Sequence, residues 1–309
     1  MQLDRSAGRA ALRSQLRLQL RIPVVVAPMF LVSCPKLVVA ACSSGVIAGF
    51  PTLNARSTQV LADWLDQIAG GTEGGAPYAA NMILDKSNKR FDADFELVRE
   101  RRVPIVIASV GRPDRIVEPV HAYGGIVFAD VATLRHARNA AAAGADGLVL
   151  LTAGAGGNTG WQNPFAFVAA VRKFFDGPLA VAGCVSHGHE LRALEILGAD
   201  LGYMGTAFLA SSESEAPQEH KQAVLEADID SIFLTDALSG MKANFIRDRL
   251  HDAGHIAADG SVRQSGTIDV ASWKEVLSAG QGVGGVHAIE PTMLIVDRLE
   301  REYKAAVDD

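Results

Sequence analysis

The sequence predicts an α/β fold, a (β/α)8 TIM barrel, and three observations carry that prediction. Eight short β-branched runs alternate with helical patterns, which is the signature of βαβ units. Each run is apolar along its whole length, as parallel strands covered on both faces are. Two phrases, AAAGADGLVLL and EILGADLGYMG, repeat one unit in which a helix stops near Gly-Ala-Asp and a strand begins. The glycine suits a left-handed helix stop. Eight such units suit a closed barrel better than an open sheet.

Taken in order, strands are expected at 22–27, 46–49, 78–83, 104–108, 125–128, 147–151, 178–182 and 201–204. Helices are expected between them at 37–42, 56–68, 91–101, 114–121, 131–143, 164–175 and 190–197. Ahead of the first strand, Arg5, Arg9, Arg13, Arg17 and Arg21 recur every fourth residue, beside a second ridge of Leu12, Leu16 and Leu20. The stretch lacks the apolar core of a secretory signal. An amphipathic helix packed against the body is expected, with a mitochondrial leader as the alternative. The segments Ser43-Ser44-Gly45 and GGTEGGA (70–76) read as loops. After Ala210 the regularity breaks: SSESEAPQEHKQAV is polar, and 223–268 reads as mostly helical with no further strand. The expected organisation is a barrel over 1–210, a small helical inserted domain after strand eight over 211–272, and a return to the barrel over 273–309 ending in a long helix. The insertion is expected to form one wall of the pocket, with Lys242 and Asn244 as possible partners of an anionic group.

Composition narrows the function. The 309 residues are 49% hydrophobic and 21% charged, enough to bury a core without disulfide or metal staples. A net charge of −6 argues against a nucleic-acid partner and favours a small-molecule substrate. Cys34, Cys42 and Cys184 cannot all pair with one another, and there is no Cys-x-x-Cys or zinc spacing. A reduced, cytoplasmic setting without a metal is expected. No run of about 18 uncharged apolar residues suggests a membrane span.

In a barrel, catalytic groups sit at the C-terminal ends of strands. Those ends carry Pro28, Met29 and Phe30, then Asn81, Ser109, Asp130, the loop from Thr152 to Gly160, the turn 183–187, and Gly205-Thr206. The loop TAGAGGNTG can bring backbone N–H groups close to a phosphate, because glycine has no Cβ. Its spacing, Gly154-x-Gly156-x-x-x-Gly160, is not that of a dinucleotide fingerprint. Glycine turns after strands seven and eight (AGCVSHGHE and MGT) occupy the usual phosphate position of a barrel. Ser186 is a candidate cap for a helix whose N–H groups would face the anion. Asp130, ending strand five, is either a base with a raised pKa or the cap of the next helix. His187 and His189 flank the phosphate turn, as anion contacts or as surface groups. His121 and His136 read as ordinary helical residues. Cys184 is either a thiol of lowered pKa at a helix start or a small packing residue.

As an ordered set, IPVVVAPMF, AANMIL, FADVATLRHARNAAAAGADGLVL, LTAGAGGNTG, LAVAGCV, LGADLGYMGTAFLAS and SAGQGVGG resemble the nitronate monooxygenase family, formerly the 2-nitropropane dioxygenases. These are FMN-dependent barrels related to flavin enoyl reductases and some NADH:quinone reductases. The resemblance covers roughly residues 22–210 and the later AGQGVGG. It implies FMN at the C-terminal mouth, its phosphate against Gly183, Cys184, Gly205 and Thr206. Gly156 and Gly157 fall on the family's AGG segment near the flavin. Pro28, Met29 and Phe30 would line the ring, Asn81 would hydrogen-bond to it, and Thr152 and Gln281 would adjoin it. Polar groups there tune the cofactor's electronics. Two departures stand out. Asn158 replaces a histidine found in many members, and asparagine takes no proton near neutral pH. Asp130 stands where quinone-reductase-like relatives carry lysine. Asp130, Asn158 and His187 are the candidate catalytic residues. The resemblance implies oxidation of alkyl nitronates by O2. The alternatives are an NAD(P)H-dependent reductase of quinones or enones, and a flavin-binding protein without turnover. Neither a nucleic acid nor a membrane is expected as a partner, and barrel habit makes a homodimer plausible.

Overall fold

The computed structural model describes residues 3–238, 240–257, 261–262 and 276–306. Along the chain the first strands are β1 (Val24–Val26), β2 (Ile47–Pro51), β3 (Tyr78–Ile83), β4 (Ile105–Ser109), β5 (Ile126–Val131), β6 (Gly147–Leu151), β7 (Gly157–Asn158), β8 (Leu179–Ala182) and β9 (Leu201–Met204). All but β7 form one closed barrel in the order β1-β2-β3-β4-β5-β6-β8-β9. Every neighbouring pair is parallel, and β1 closes the ring by pairing with both β2 and β9.

Period-2 alternation explains why these strands read as apolar throughout. Val25, Ile47, Ile105, Ile107, Phe128, Val149, Ala180 and Leu201 fill the barrel interior. Their neighbours in sequence, such as Val26, Ala48, Val106, Val127, Leu148 and Val181, face the surrounding helices. Those helices are α1 (Arg9–Gln19), α2 (Pro35–Ser43), α3 (Thr58–Gly71), α4 (Phe91–Glu100), α5 (Asp114–Ala122), α6 (Leu134–Ala142), α7 (Pro164–Arg172) and α8 (Gly188–Leu197).

The arginine-rich start packs against the body, as its two ridges imply. Leu12, Leu16 and Leu20 join the interior cluster and close one end of the barrel. Burial of each leucine is worth roughly 2 kcal/mol. The arginine ridge meets acids in turn: Arg5 with Asp146, Arg13 with Asp200, Arg17 with Glu195, and Arg21 with Asp297 and Glu300. Asp146 and Asp200 are the aspartates of the repeated Gly-Ala-Asp unit. Each also accepts a strand N–H, from Val127 and Leu179 respectively, both at 2.9 Å. The internal repeat thus marks two equivalent anchors beneath the barrel.

Two expectations are corrected. The helix after β5 begins at Leu134, not at 131, because Thr133 caps it by accepting from the His136 N–H. Residues after Ala210 are mixed rather than helical. They carry α9 (Thr206–Leu209), already begun before that point, then α10 (Gln218–Glu226), β10 (Ile232–Thr235), β11 (Ala243–Ile246) and α11 (Arg247–Asp252). Strand β11 pairs antiparallel with β10 on one side and with β7 on the other. The strands are four residues long, too short for periodicity to declare them, and β7 comes from far earlier in the chain. A cluster of Val32, Leu209, Ala216, Val224, Ile246, Leu277 and Val283 ties this segment to the barrel. The expected boundary at 272 lies outside the described residues. Helix α12 (Thr292–Ala305) returns to the barrel, burying Ile295, Val296 and Leu299 in the outer core.

Candidate active site

A cavity of about 1330 Å³ opens at the C-terminal ends of the strands. Its floor follows from the alternation of the strands. Inward positions are apolar until the last turn of the pleat, where four polar residues take over. Asn81 follows Ala79 on β3, Ser109 follows Ile107 on β4, Asp130 follows Phe128 on β5, and Tyr203 follows Leu201 on β9. All four line the cavity.

The first three form a directed chain. Asn81 Nδ2 donates to Ser109 Oγ at 2.5 Å and to the Ile107 carbonyl at 3.3 Å. The Ser109 hydroxyl donates in turn to Asp130 Oδ2. Asp130 Oδ1 is buried and has no hydrogen-bond partner. Burial raises the Asp130 carboxyl to about 7, against the smaller lowering effect of the Ser109 bond. With Thr133 capping α6, Asp130 is not a cap, and of its two readings only the raised-pKa carboxyl fits. Burial, and then the nearby Asp130 charge, hold the Tyr203 phenol well above its usual range, so it stays protonated.

One wall is glycine-rich. Gly183 follows β8 with φ +120°, and a Cβ there would lie 2.5 Å from Thr152 Oγ1 and 2.9 Å from the Ala153 carbonyl. Only glycine fits this turn. Gly183, Cys184, Gly205 and Thr206 line the cavity together, and so do Pro28, Met29, Phe30, Gly156, Gly157 and Asn158. Asn158 sits on β7 opposite Ala243 and is exposed at the cavity edge.

Other expected residues take supporting positions. Thr152 is fully buried behind the wall, its hydroxyl donating to the Ala182 carbonyl at 2.7 Å. Gln281 donates its N–H to the Gly154 carbonyl at 2.8 Å, and its Oε1 lies 3.5 Å from Cys184 Sγ. Neither lines the cavity. Asn244 donates to the Ala155 carbonyl at 2.7 Å, so it braces the loop instead of awaiting an anion. Lys242 does line the cavity and is exposed.

His187 is misplaced for catalysis. It is the N-cap of α8, stacks on His189 at 5.1 Å, and lies with Nδ1 3.6 Å from Glu302, outside the cavity lining. Ser186 is not the cap: its hydroxyl donates to the Gly282 carbonyl at 2.6 Å. The amides of Ser186 and His187 donate to Glu190 Oε2, and that of Gly188 to Glu302 Oε2. Carboxylates already occupy this helix start. Of the two Cys184 readings, the thiol of lowered pKa does not hold. Burial, with a smaller push from Glu190, raises its thiol pKa instead of lowering it.

Sequence reasoning passed over Tyr203, His220 and Arg56, and read His136 as bland, yet all four line the cavity. Counting by twos from Leu201 finds Tyr203. No local signal marks His220, which reaches the cavity from α10 and lies with Nε2 2.9 Å from the Ser278 carbonyl. Burial lowers its pKa, so it is neutral at pH 7. Within 211–272 the cavity is lined by Glu215, Pro217, His220, Met241 and Lys242. Among the described residues no cluster of histidine, cysteine or carboxylates suits a metal ion. Nor is any described helix long and apolar enough to cross a membrane.

The family model described as nitronate monooxygenase matches residues 80–257. A nitronate monooxygenase of Paraburkholderia phytofirmans is 25% identical, with 93% of each chain covered. A (3aS,4S,5R,7aS)-5-hydroxy-7a-methyl-1-oxo-octahydro-1H-indene-4-carboxyl-CoA dehydrogenase of Mycobacterium tuberculosis is 26% identical over 74% of this chain, which spans 64% of that relative. Among solved structures, FabK from Thermotoga maritima matches with a TM-score of 0.80 at 23% identity, covering 96% of this chain and 97% of its own. The nitroalkane oxidase from Streptomyces ansochromogenes matches with a TM-score of 0.81 at 22% identity, covering 95% and 99%. At these identities the structural matches establish a shared fold.

Proposed function

The chain belongs to the nitronate monooxygenase family of flavin-dependent oxidoreductases, and from that premise we propose that it binds FMN and oxidises alkyl nitronates with O2. The observation that carries the reading is the large glycine-walled cavity at the strand ends, with the buried carboxyl of Asp130 on its floor. Groups with strongly shifted pKa values in a cleft are the usual mark of acid–base chemistry.

The residues present fit FMN. The cavity, at about 1330 Å³, exceeds the roughly 300–1,000 Å³ of an ordinary ligand pocket, leaving room for a substrate beside the cofactor. Gly183-Cys184 and Gly205-Thr206 stand at the turns after the seventh and eighth barrel strands, where barrels hold phosphate. Pro28, Met29 and Ala182 offer apolar surface for a flat ring, and Asn81 and Ser109 offer polar atoms at its edge. When bound, FMN supplies the electron acceptor for the substrate and the route to O2.

The protein's own groups handle the proton. A nitronate is already ionised and needs no base. For a neutral nitroalkane, Asp130 in its carboxylate form takes the proton from the carbon beside the nitro group. Asn158 hydrogen-bonds at the rim but moves no proton. His220 is held neutral and tied to the Ser278 carbonyl.

The test is spectroscopic. Protein supplemented with FMN and freed of excess should keep flavin absorption bands. Anaerobic ethyl nitronate should bleach them, and air should restore them with consumption of nitronate. Absence of retained flavin overturns the cofactor reading. Bleaching by NADH but not by nitronate overturns the substrate reading in favour of a reductase.

A further inference from the structure

We infer that Tyr203 is a second catalytic residue, whose hydroxyl donates a hydrogen bond to the nitro oxygen of the substrate while Asp130 takes the proton from the adjoining carbon. The inference rests on the nitro-compound reading above and assigns that site its second polar group.

The argument begins with what holds Tyr203 in place. It lies in mid-register on β9, beside Val25 on β1 and Ala182 on β8. The residue is 8% exposed and belongs to the interior cluster. Its side chain borders a gap of about 10 Å³ beneath the floor, lined otherwise by Val25, Ile47, Ile105, Phe128 and other apolar groups. A space so small and apolar holds no ordered water. Nothing below the floor can therefore satisfy the phenol.

A buried tyrosine hydroxyl ordinarily finds a partner. This one has none among the described residues, while Asn81, Ser109 and Asp130 Oδ2 on the same floor are joined to one another. The cavity is the side left open to it, and the residue lines that cavity with Asp130. A hydroxyl donor on β9 and the unpartnered Asp130 Oδ1 on β5 thus face one space. Held protonated, the phenol donates and does not serve as a base.

The chemistry balances. The carbon–hydrogen bond breaks, the proton goes to Asp130 Oδ1, and the electron pair becomes the carbon–nitrogen double bond of the nitronate. Negative charge accumulates on the nitro oxygens, where the Tyr203 O–H stays intact and strengthens its hydrogen bond. A donor that meets developing charge is the arrangement of an oxyanion hole.

Tyr203→Phe keeps the ring in the floor and removes the hydroxyl. In FMN-loaded protein, kcat on neutral nitroethane should fall about 100-fold, as for loss of one oxyanion donor. The already ionised ethyl nitronate should lose mainly in KM, so the ratio of the two activities changes. A second readout needs no turnover. 2-Methyl-2-nitropropane lacks a hydrogen beside the nitro group and cannot react, and calorimetry should show it binding roughly fivefold more weakly to the variant. An unchanged activity ratio with unchanged binding of this probe overturns the inference. So does a shifted flavin spectrum or weakened FMN affinity in the variant with intact probe binding, which would put the hydroxyl against the cofactor. A wild-type protein that retains flavin yet oxidises neither nitro compound overturns the functional reading, and the inference with it.

Discussion

Asp130→Asn removes a charge that the fold buries with only the Ser109 hydroxyl to hold it, and the consequence is a pH-dependent gain in stability. The carboxyl stands at about 7 in place of its ordinary 3.8. The difference is about three pH units, and at about 1.4 kcal/mol per unit it amounts to on the order of 4 kcal/mol. Its sign follows from linkage. With the folded value raised, the wild-type stability from this group is full below about 4. It is lost progressively as pH rises towards 7 and stays lost above that. Asparagine does not titrate, and its side-chain oxygen can still accept the Ser109 hydroxyl. Urea unfolding of FMN-free wild type and variant, at intervals from pH 4.5 to 8.5, should show the variant gaining on the wild type through that window and then running parallel. The same substitution should cut oxidation of neutral nitroethane by about 10²–10⁴, the worth of a positioned base, while oxidation of ethyl nitronate survives. Stability curves that stay parallel across the whole range would refute the buried carboxylate. Equal losses on both substrates would refute its role as base.

Three further outcomes are expected. Ser109→Ala removes the one hydrogen bond that lowers the Asp130 pKa, so the alkaline rise in nitroethane oxidation should move to higher pH, read from the kcat profile. Gly183→Ala should abolish retention of FMN and lower the unfolding midpoint, because its Cβ would lie 2.5 Å from Thr152 Oγ1 at a φ of +120°; retained flavin bands would remove this turn from the cofactor site. Asp200→Ala leaves the Arg13 and Arg172 guanidiniums without their shared carboxylate and should cost about 3–5 kcal/mol in urea unfolding, with FMN affinity unaltered in the folded fraction.

The barrel was legible because its signals are local and repeated. A strand covered on both faces must be apolar throughout, and a helix between strands must stop within a few residues. Strands such as Tyr78–Ile83, Gly147–Leu151 and Leu201–Met204 therefore announce themselves at their observed bounds. The arginine ridge of α1 was visible at spacing four, though its partners Asp146 and Asp200 were not, since they lie over a hundred residues away. Asp130 was legible as a strand-end carboxylate. Whether it capped α6 turned on Thr133, three residues on, which offered an equally good cap.

The sequence by itself determined the order of strands and helices, the glycine turns after β8 and β9, and the polar residues that end the inward rows. Each of these depends on neighbours within a few positions. Only the tertiary structure decided which of those residues face one another. It moved His187 out of the cavity and onto Glu302, and turned Thr152 and Gln281 into supports. It joined β7 to β11, and brought His220 and Tyr203 into the site with Asp130. Those contacts form between residues far apart in the chain, and closure of the barrel, which turns the ends of eight strands towards a single space, is what brings them together.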